Sequence, residues 1–141
     1  GSRRYVRSLS RSQRRRIEAY LNLDMVGSPN ARPTVSDSRE ASGTARAASR
    51  RLERLLRRRL GSGVPHARTG GASDHAPFAA AGIPVGGIYT GGPEQGLRGR
   101  PRDPCYHRAC DTVRNVNRRV LRRMARAAAG AVAELARAQA K

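Results

Sequence analysis

The chain has 141 residues, enough for one domain with a modest hydrophobic core, and only 4% of them are aromatic. Its 29 basic and 10 acidic residues give a formal net charge of +19, which is typical of proteins that meet nucleic acid or an anionic surface. No apolar run in the sequence is long enough to span a membrane, so we expect no membrane partner.

The basic residues are almost all arginine, and Lys141 is the one lysine. They occur in every segment together with abundant alanine and glycine, a bias that a GC-rich coding sequence also produces. No motif that stacks bases on aromatic side chains is present. We therefore favour solvated or codon-driven charge over a dedicated nucleic-acid site, and expect any nucleic-acid binding to be non-specific and electrostatic.

The N-terminal segment, residues 1–16, is polar and rich in arginine. Ser10 or Ser12 could cap a short turn before Ile17. We interpret this segment as a connecting element.

Residues 19–27 are apolar with interleaved polar positions, and a Gly-Ser-Pro-Asn turn closes them at 27–30. This pattern predicts a strand that ends in a turn. Asp24 falls near the carboxyl end of the strand, where open α/β sheets present ligand-binding groups. A turn-capping role for Asp24 is the alternative.

Residues 34–36 are compatible with a second, short strand. Asp37 and Glu40 have the spacing of a capping box, which predicts a helix that runs to Leu60 and stops at Gly61. Apolar residues at helical spacing form one stripe of this helix and predict that it packs on a core: Ala41, Ala45, Ala48, Leu52, Leu55 and Leu56.

Residues 64–68 are a weak strand candidate, and a glycine-rich loop follows over 69–78. The loop contains Ser73, Asp74 and His75 in succession. Neighbouring side chains in an extended loop point in different directions, so these three cannot form a nucleophilic triad by themselves. A loop that lines a site, or a self-contained hydrogen-bonded turn, fits better.

Residues 83–90 predict a buried strand whose glycines allow another backbone to approach closely. A flexible stretch over 91–104 leads to the cysteines, and an amphipathic helix is predicted over about 117–138. The apolar side of that helix carries Val120, Leu121, Met124, Ala128, Val132 and Leu135. Strands that alternate with helices indicate the α/β class.

The stretch 105–111 concentrates the most chemistry, since it holds the two cysteines of the chain with Tyr106 and His107 between them. A disulfide between Cys105 and Cys110 would mount this pair in one orientation and indicate an oxidising compartment. Two unlinked thiols, or half of a metal-thiolate site, are the alternatives. His107 could be a metal ligand, a general base or a hydrogen-bonded loop residue, and the tight flanking geometry favours a ligand.

Four motifs, at 20–30, 73–78, 82–91 and 105–111, occur in the order and at the spacing of one family. They resemble the C-terminal half of the secreted double-zinc aminopeptidases of the streptomycete type. The resemblance implies an α/β fold, namely the C-terminal part of a mixed-sheet zinc-exopeptidase fold with flanking helices. It also implies a secreted protein, whose signal peptide would have been removed or would lie outside this sequence.

The activity that the resemblance implies is hydrolysis of the N-terminal, preferably large and hydrophobic, residue from peptides by a water that bridges two zinc ions. Asp24 would bind one zinc and His107 the other. Tyr106 matches a tyrosine that donates a hydrogen bond to the tetrahedral oxyanion, a type of contact that can stabilise a transition state by several kcal/mol.

The substrate contacts follow from the same resemblance. Met25, Tyr89 and the backbone of Gly71 and Ala72 correspond to the residues that form the side-chain pocket and bind the free amino group. Ala72 stands where related enzymes carry an arginine, so only its backbone is assigned a role.

The sequence also departs from this family. Members carry upstream a histidine, a bridging aspartate and a Glu-Glu pair, and this sequence begins just after that pair. Residues 1–141 would then be a partial domain that lacks its N-terminal half and needs that half as a partner. Because a catalytic zinc normally has three protein ligands, we expect the chain alone to be inactive.

Two other hypotheses remain. The chain could be a non-catalytic basic module that binds nucleic acid or another polyanion. It could also be a half-domain without a stable function, since an incomplete sheet exposes an unpaired edge and an apolar face.

Overall fold

The computed structural model describes residues 1–68 and 71–139. Within these ranges there are four strands and five α-helices: α1 (Ser2–Ser8), α2 (Arg11–Arg15), β1 (Tyr20–Leu23), β2 (Thr34–Ser36), α3 (Ala45–Leu60), β3 (His66–Ala67), α4 (Ala76–Ala80), β4 (Val85–Tyr89) and α5 (Arg118–Gln139). None of the helices within the described ranges combines the length and the apolar character needed to cross a membrane.

The four strands form one mixed sheet in the order β1-β4-β2-β3. β1 runs parallel to β4, and β2 runs parallel to β3, whereas β2 and β4 are antiparallel. The sequence prediction of an α/β fold with a mixed sheet and flanking helices is confirmed. Because β1 and β4 are parallel neighbours, the loops that follow them emerge at the same edge of the sheet.

Two glycines in β4 allow the close packing that the sequence predicts. A Cβ atom on Gly87 would lie 2.6 Å from Ser36 Oγ and 3.0 Å from the Asn22 carbonyl oxygen. A Cβ atom on Gly86 would lie 3.0 Å from Cβ of Leu52 in α3. Glycine at both positions therefore lets the central strand contact its neighbours and α3 without displacement.

Buried apolar side chains form two clusters. The larger one joins the sheet to α3 and α5 through Val35, Leu55, Leu56, Leu60, Val64, Ile88, Met124, Ala127, Ala128 and Ala131. The smaller one contains Val6, Ala41, Phe78, Ala79, Ile83 and Val85. A side chain that is fully buried in such a cluster contributes about 1.5–3 kcal/mol to folding.

The N-terminal segment is more than a connecting element, which corrects the sequence interpretation. Val6 on α1 is only 5% exposed and belongs to the smaller cluster. Ser10 caps α2 through a capping box with Gln13. Val6 is the one buried residue of α1, which is too weak a periodic signal to predict a helix.

The predicted start of α3 is wrong. Asp37 caps only a short 3-10 turn over Ser38–Glu40, and α3 begins at Ala45. The backbone of Ala41 is extended, and Gly43 has a φ of +57°, so the chain leaves helical geometry between the two. The predicted end is confirmed, since Gly61 follows α3 with a φ of +112°.

The strands expected around residues 20, 34, 66 and 85 are all formed, as is the C-terminal helix. Asn117 accepts a hydrogen bond from the Val120 amide at 3.2 Å and so caps α5. The short helix α4 begins inside the stretch 69–78 that the sequence indicates as a loop and continues to Ala80. Of that loop, residues 69 and 70 lie outside the described part of the chain.

Candidate active site

A cleft of about 770 Å³ opens where β1 and β4 end. Its lining includes almost all the side chains that the sequence singles out for metal, substrate or catalytic roles: Asp24, Met25, Ala72, Tyr89, Tyr106 and His107. Gly71 is the exception, because it lines a neighbouring depression beside α1 and α4. Residues far apart in the chain thus meet at one edge of the sheet.

Asp24 directly follows β1 and is half-buried. Its Oδ2 accepts a hydrogen bond from Ser73 Oγ at 2.6 Å, and Ser73 Oγ accepts one from Asn22 Nδ2 at 2.8 Å. Ser73 lies 49 residues away, so this carboxylate serves a long-range contact rather than the local turn cap considered above. The relay fixes the orientation of the carboxylate and uses only one of its oxygens.

The turn after Asp24 is held by Thr90, which is fully buried. The carbonyl of Met25 accepts hydrogen bonds from both the amide and the hydroxyl of Thr90. Met25 has a φ of +49°, a left-handed conformation that costs a non-glycine residue about 1–2 kcal/mol. These contacts to Thr90 stabilise the turn that places the Met25 side chain in the cleft.

Cys105 and Cys110 form the disulfide that the sequence favours, so the alternatives of unlinked thiols and a metal-thiolate site do not apply. Between them, the rings of Tyr106 and His107 stack with centroids 3.9 Å apart. Tyr106 is half-buried and His107 is exposed. The bridge and the stacking present a phenol and an imidazole together at the rim of the cleft.

The base of this loop is tied to the rest of the protein by Asp103, which is 5% exposed. Its Oδ1 accepts hydrogen bonds from the Cys105 amide at 2.9 Å and from Asn115 Nδ2 at 2.8 Å. The loop is therefore anchored on both the disulfide and a buried carboxylate.

Tyr89 forms another wall of the cleft and donates a hydrogen bond from Oη to Glu94 Oε2 at 3.1 Å. Burial, followed by the Glu94 carboxylate, raises the pKa of Tyr89 well above its ordinary value of 10, and Asp24 adds to the effect. The phenol consequently remains protonated and acts as a donor at any physiological pH.

Sequence reasoning missed several residues of this cleft. Ser73 was noted only as a member of a polar triplet, and Glu94 lies in a stretch that the sequence marks as flexible. Three arginines also line the cleft, and they outnumber its two carboxylates, Asp24 and Glu94: Arg32, Arg68 and Arg102. The uniform distribution of arginine along the chain gave no signal that could distinguish them.

Ser73, Asp74 and His75 do not form a triad with one another, and this agrees with the sequence prediction. Ser73 contacts Asp24, Asp74 accepts a hydrogen bond from Ser2 Oγ at 2.7 Å, and the third member contacts a different carboxylate. His75 Nε2 lies 3.0 Å from Glu40 Oε2, with both side chains largely buried. The triplet therefore anchors its loop at three separate places.

A second group of possible metal ligands lies outside the cleft. Asp37, Glu53 and His66 bring one ligand atom each to within 4.8 Å of one another. Arg39 donates to both oxygens of Asp37, at 3.0 and 2.8 Å, and holds the pKa of that carboxyl at about 2. Since His66 Nδ1 also lies 3.2 Å from Glu53 Oε1, the three side chains already form a network that a metal ion would have to disrupt.

Comparison with known proteins identifies the family. The model of Peptidase family M28 matches residues 1–132. Leupeptin-inactivating enzyme 1 of Streptomyces exfoliatus is 36% identical over 146 aligned positions, which cover 94% of this chain and 31% of that enzyme. Leucine aminopeptidase 2 of Trichophyton rubrum is 37% identical over 152 positions, covering 97% of this chain and 31% of that protein.

Solved structures agree with the sequence comparison. The zinc aminopeptidase BSAP of Bacillus subtilis superposes with a TM-score of 0.71 at 29% identity, over 96% of this chain and 32% of that one. The chain thus spans about a third of the length of the proteins it matches. The family match over residues 1–132 shows that this chain belongs to peptidase family M28.

Proposed function

We propose that residues 1–141 are the C-terminal part of a secreted zinc aminopeptidase domain and contribute one ligand to each of two zinc ions. One observation carries this proposal: Asp24, Tyr106 and His107 line one cleft although Asp24 is far from the other two in the sequence. The similarity to a leucine aminopeptidase and to a zinc aminopeptidase supports the same activity.

The donor atoms suit zinc. Asp24 offers a carboxylate oxygen and His107 an imidazole nitrogen, both of which zinc prefers in catalytic sites. Ser73 donates its hydrogen bond to Oδ2 of Asp24, and among the described residues no side chain donates to Oδ1. We therefore assign Oδ1 to the metal. When bound, zinc acts as a Lewis acid and lowers the pKa of a coordinated water.

Asp24 and His107 alone do not complete the site. Catalytic zinc usually has three protein ligands and one open position. The remaining ligands and the general base would come from the part of the domain that this chain does not span. We therefore propose that this chain needs the rest of the domain as a partner. Without those ligands and the general base, the chain by itself is inactive.

Tyr106 is proposed to donate a hydrogen bond to the oxyanion that forms during peptide hydrolysis. The disulfide and the His107 ring hold the phenol from two sides, so little reorganisation is needed when charge develops. Loss of one donor of this kind typically lowers kcat by about 10²–10³.

The substrate is proposed to be a peptide with a free N-terminus and a large hydrophobic first residue. The Met25 thioether and the Tyr89 ring offer an apolar surface in the cleft. The backbone of Ala72, with Gly71 beside it, would meet the free amino group. The negative charge of Asp24 favours binding of that ammonium group.

We propose that the protein is secreted because Cys105 and Cys110 form a disulfide. Such bonds persist in oxidising compartments and are rare in the cytosol.

The test is hydrolysis of leucine p-nitroanilide with added zinc, by this chain alone and by its mixture with a segment that carries the missing histidine, aspartate and Glu-Glu pair. We expect activity only in the mixture, with loss in Asp24→Ala and His107→Ala. A mixture that is folded but silent would refute the proposed function. Activity of the chain alone would refute the incomplete ligand set.

A further inference from the structure

A second concave surface, separate from the cleft, is lined mainly by arginine side chains. The arginine groove, as we call it, has a volume of about 670 Å³ and is lined by Arg59 of α3 and by Arg119, Arg122, Arg123 and Arg126 of α5. Ala127 is the remaining lining residue. None of these residues lines the candidate active site.

Two of the five guanidinium groups are held in place. Arg59 donates to Glu134 Oε2 at 2.8 Å and lies across Gly130, where a Cβ atom would come within 2.9 Å of Arg59 Nη1. Arg123 donates to the carbonyl of Leu60 at the end of α3. Both guanidinium groups are thus ordered before any ligand binds, which lowers the entropic cost of binding.

The other three guanidinium groups face outward together. Arg119, Arg122 and Arg126 are exposed and spaced by three and four residues, which places them on one face of α5. Within residues 1–68 and 71–139, no carboxylate forms an ion pair with any of the three.

This arrangement opposes the stability of α5. The helix begins with two arginines and has no acidic residue in its first turn, although the positive end of the helix dipole lies there. Two pairs in the groove, Arg119 with Arg123 and Arg122 with Arg126, also repel each other at i,i+4 spacing. An anion bound in the groove would reverse both effects.

The geometry points to a phosphate backbone. The guanidinium fork matches the paired oxygens of a phosphate, and Arg119 to Arg126 extends about 10 Å along the helix. That length corresponds to about three phosphates of one strand of a duplex. The described lining has no aromatic side chain to stack on a base and no apolar wedge to enter a lipid layer.

We propose that the arginine groove binds the phosphate backbone of nucleic acid without sequence preference. The groove is a local site, so its contribution is separable from that of the net charge of the whole chain. It is also independent of the proposed peptidase activity, since the two surfaces share no lining residue.

The experiment measures fluorescence anisotropy of a short fluorescein-labelled DNA duplex at salt concentrations from about 50 to about 200 mM. The groove variant is Arg119→Ala/Arg122→Ala/Arg126→Ala. The charge-matched control is Arg11→Ala/Arg15→Ala/Arg16→Ala, whose side chains are exposed around α2. Circular dichroism checks that both variants remain folded. If the groove triple does not fold, the double variant Arg119→Gln/Arg126→Gln replaces it.

We expect the groove triple to bind at least about tenfold more weakly and to reduce the slope of log affinity against log salt by about 2–3, because each phosphate contact contributes about 0.9. The control should keep the slope of the parent chain. Equal losses in both triples would overturn the proposal in favour of net charge. Groove-dependent binding that is tighter to heparin or to anionic vesicles than to DNA would overturn nucleic acid as the ligand.

Discussion

At the scale of single residues, Ser73 connects the sheet to the proposed metal ligand. It accepts a hydrogen bond from Asn22 and donates one to Asp24. The sequence indicates Asp24 from its position at the end of a strand and Ser73 from its polar triplet. It gives no sign that the two are in contact, because they meet only once β1 and the loop before α4 are folded.

Replacing Ser73 by alanine tests this relay. In Ser73→Ala, Oδ2 of Asp24 loses its donor, and we expect zinc affinity to fall by about 10–100-fold, as for other residues that orient a metal ligand. Competition with a chelating dye measures the change. Ser42→Ala, at an exposed position, serves as the control, and a loss no larger than in that control would show that the relay does not matter.

The ion pair between Arg39 and Asp37 makes stability depend on pH. The pKa of Asp37 is lowered from 3.8 to about 2, chiefly by the hydrogen bond from Arg39. A carboxyl whose pKa is lower in the folded state stabilises the fold above its unfolded pKa and loses that contribution as the pH falls through the folded value. The contribution is nearly complete above about pH 4, falls steeply towards pH 2 and disappears only below that value.

We expect Arg39→Ala to lower the free energy of unfolding only modestly at neutral pH, because Arg39 is 62% exposed and solvent screens its ion pair. The difference from the parent chain should shrink as the pH falls from about 4 to about 2. Urea denaturation at several pH values provides the measurement, with the exposed Arg50→Ala as control. A difference that stays constant over this range would argue against the ion pair as its source.

At the scale of elements, the sequence predicts strands better than helices. The alternating and apolar runs of β1 and β4 carry a strong local signal, and β4 also carries the glycines that its neighbours require. The start of α3 was mispredicted because Asp37 and Glu40 do have capping-box spacing, although the chain leaves helical geometry at Ala41 and at Gly43, whose φ is positive. Short helices such as α1 and α4 are too brief for periodicity to reveal.

The close packing of β4 predicts the effect of a methyl group. Gly87→Ala would place a Cβ atom 2.6 Å from Ser36 Oγ and against the backbone of Asn22, so we expect a loss of about 1–3 kcal/mol in unfolding free energy. The control is Gly63→Ala, where nothing lies within 4 Å. Chemical denaturation compares the two, and equal changes would mean that the strand tolerates the extra volume.

At the scale of the whole molecule, the chain joins residues from its two ends at one edge of a mixed sheet. The four sequence motifs predicted which residues lie at this edge, because each motif contributes a loop that follows a strand or carries the disulfide. The sequence did not reveal the network of Asp37, Glu53 and His66, since its members come from three different elements. Their proximity follows from the pairing of β2 with β3 and the packing of α3.

The molecule therefore offers zinc two places, and the proposed function requires one of them. The cleft contains the proposed ligands Asp24 and His107. In the other group, Asp37 already accepts hydrogen bonds from Arg39, and His66 already contacts the Glu53 carboxylate. Zinc should enter the cleft first.

Anomalous diffraction at the zinc edge, from crystals of this chain soaked in zinc, tests this most directly. We expect a peak about 2.0–2.2 Å from the Asp24 carboxylate or the His107 imidazole, and none in crystals of Asp24→Ala/His107→Ala. A peak confined to Asp37, Glu53 and His66, or zinc at neither place, would contradict the account.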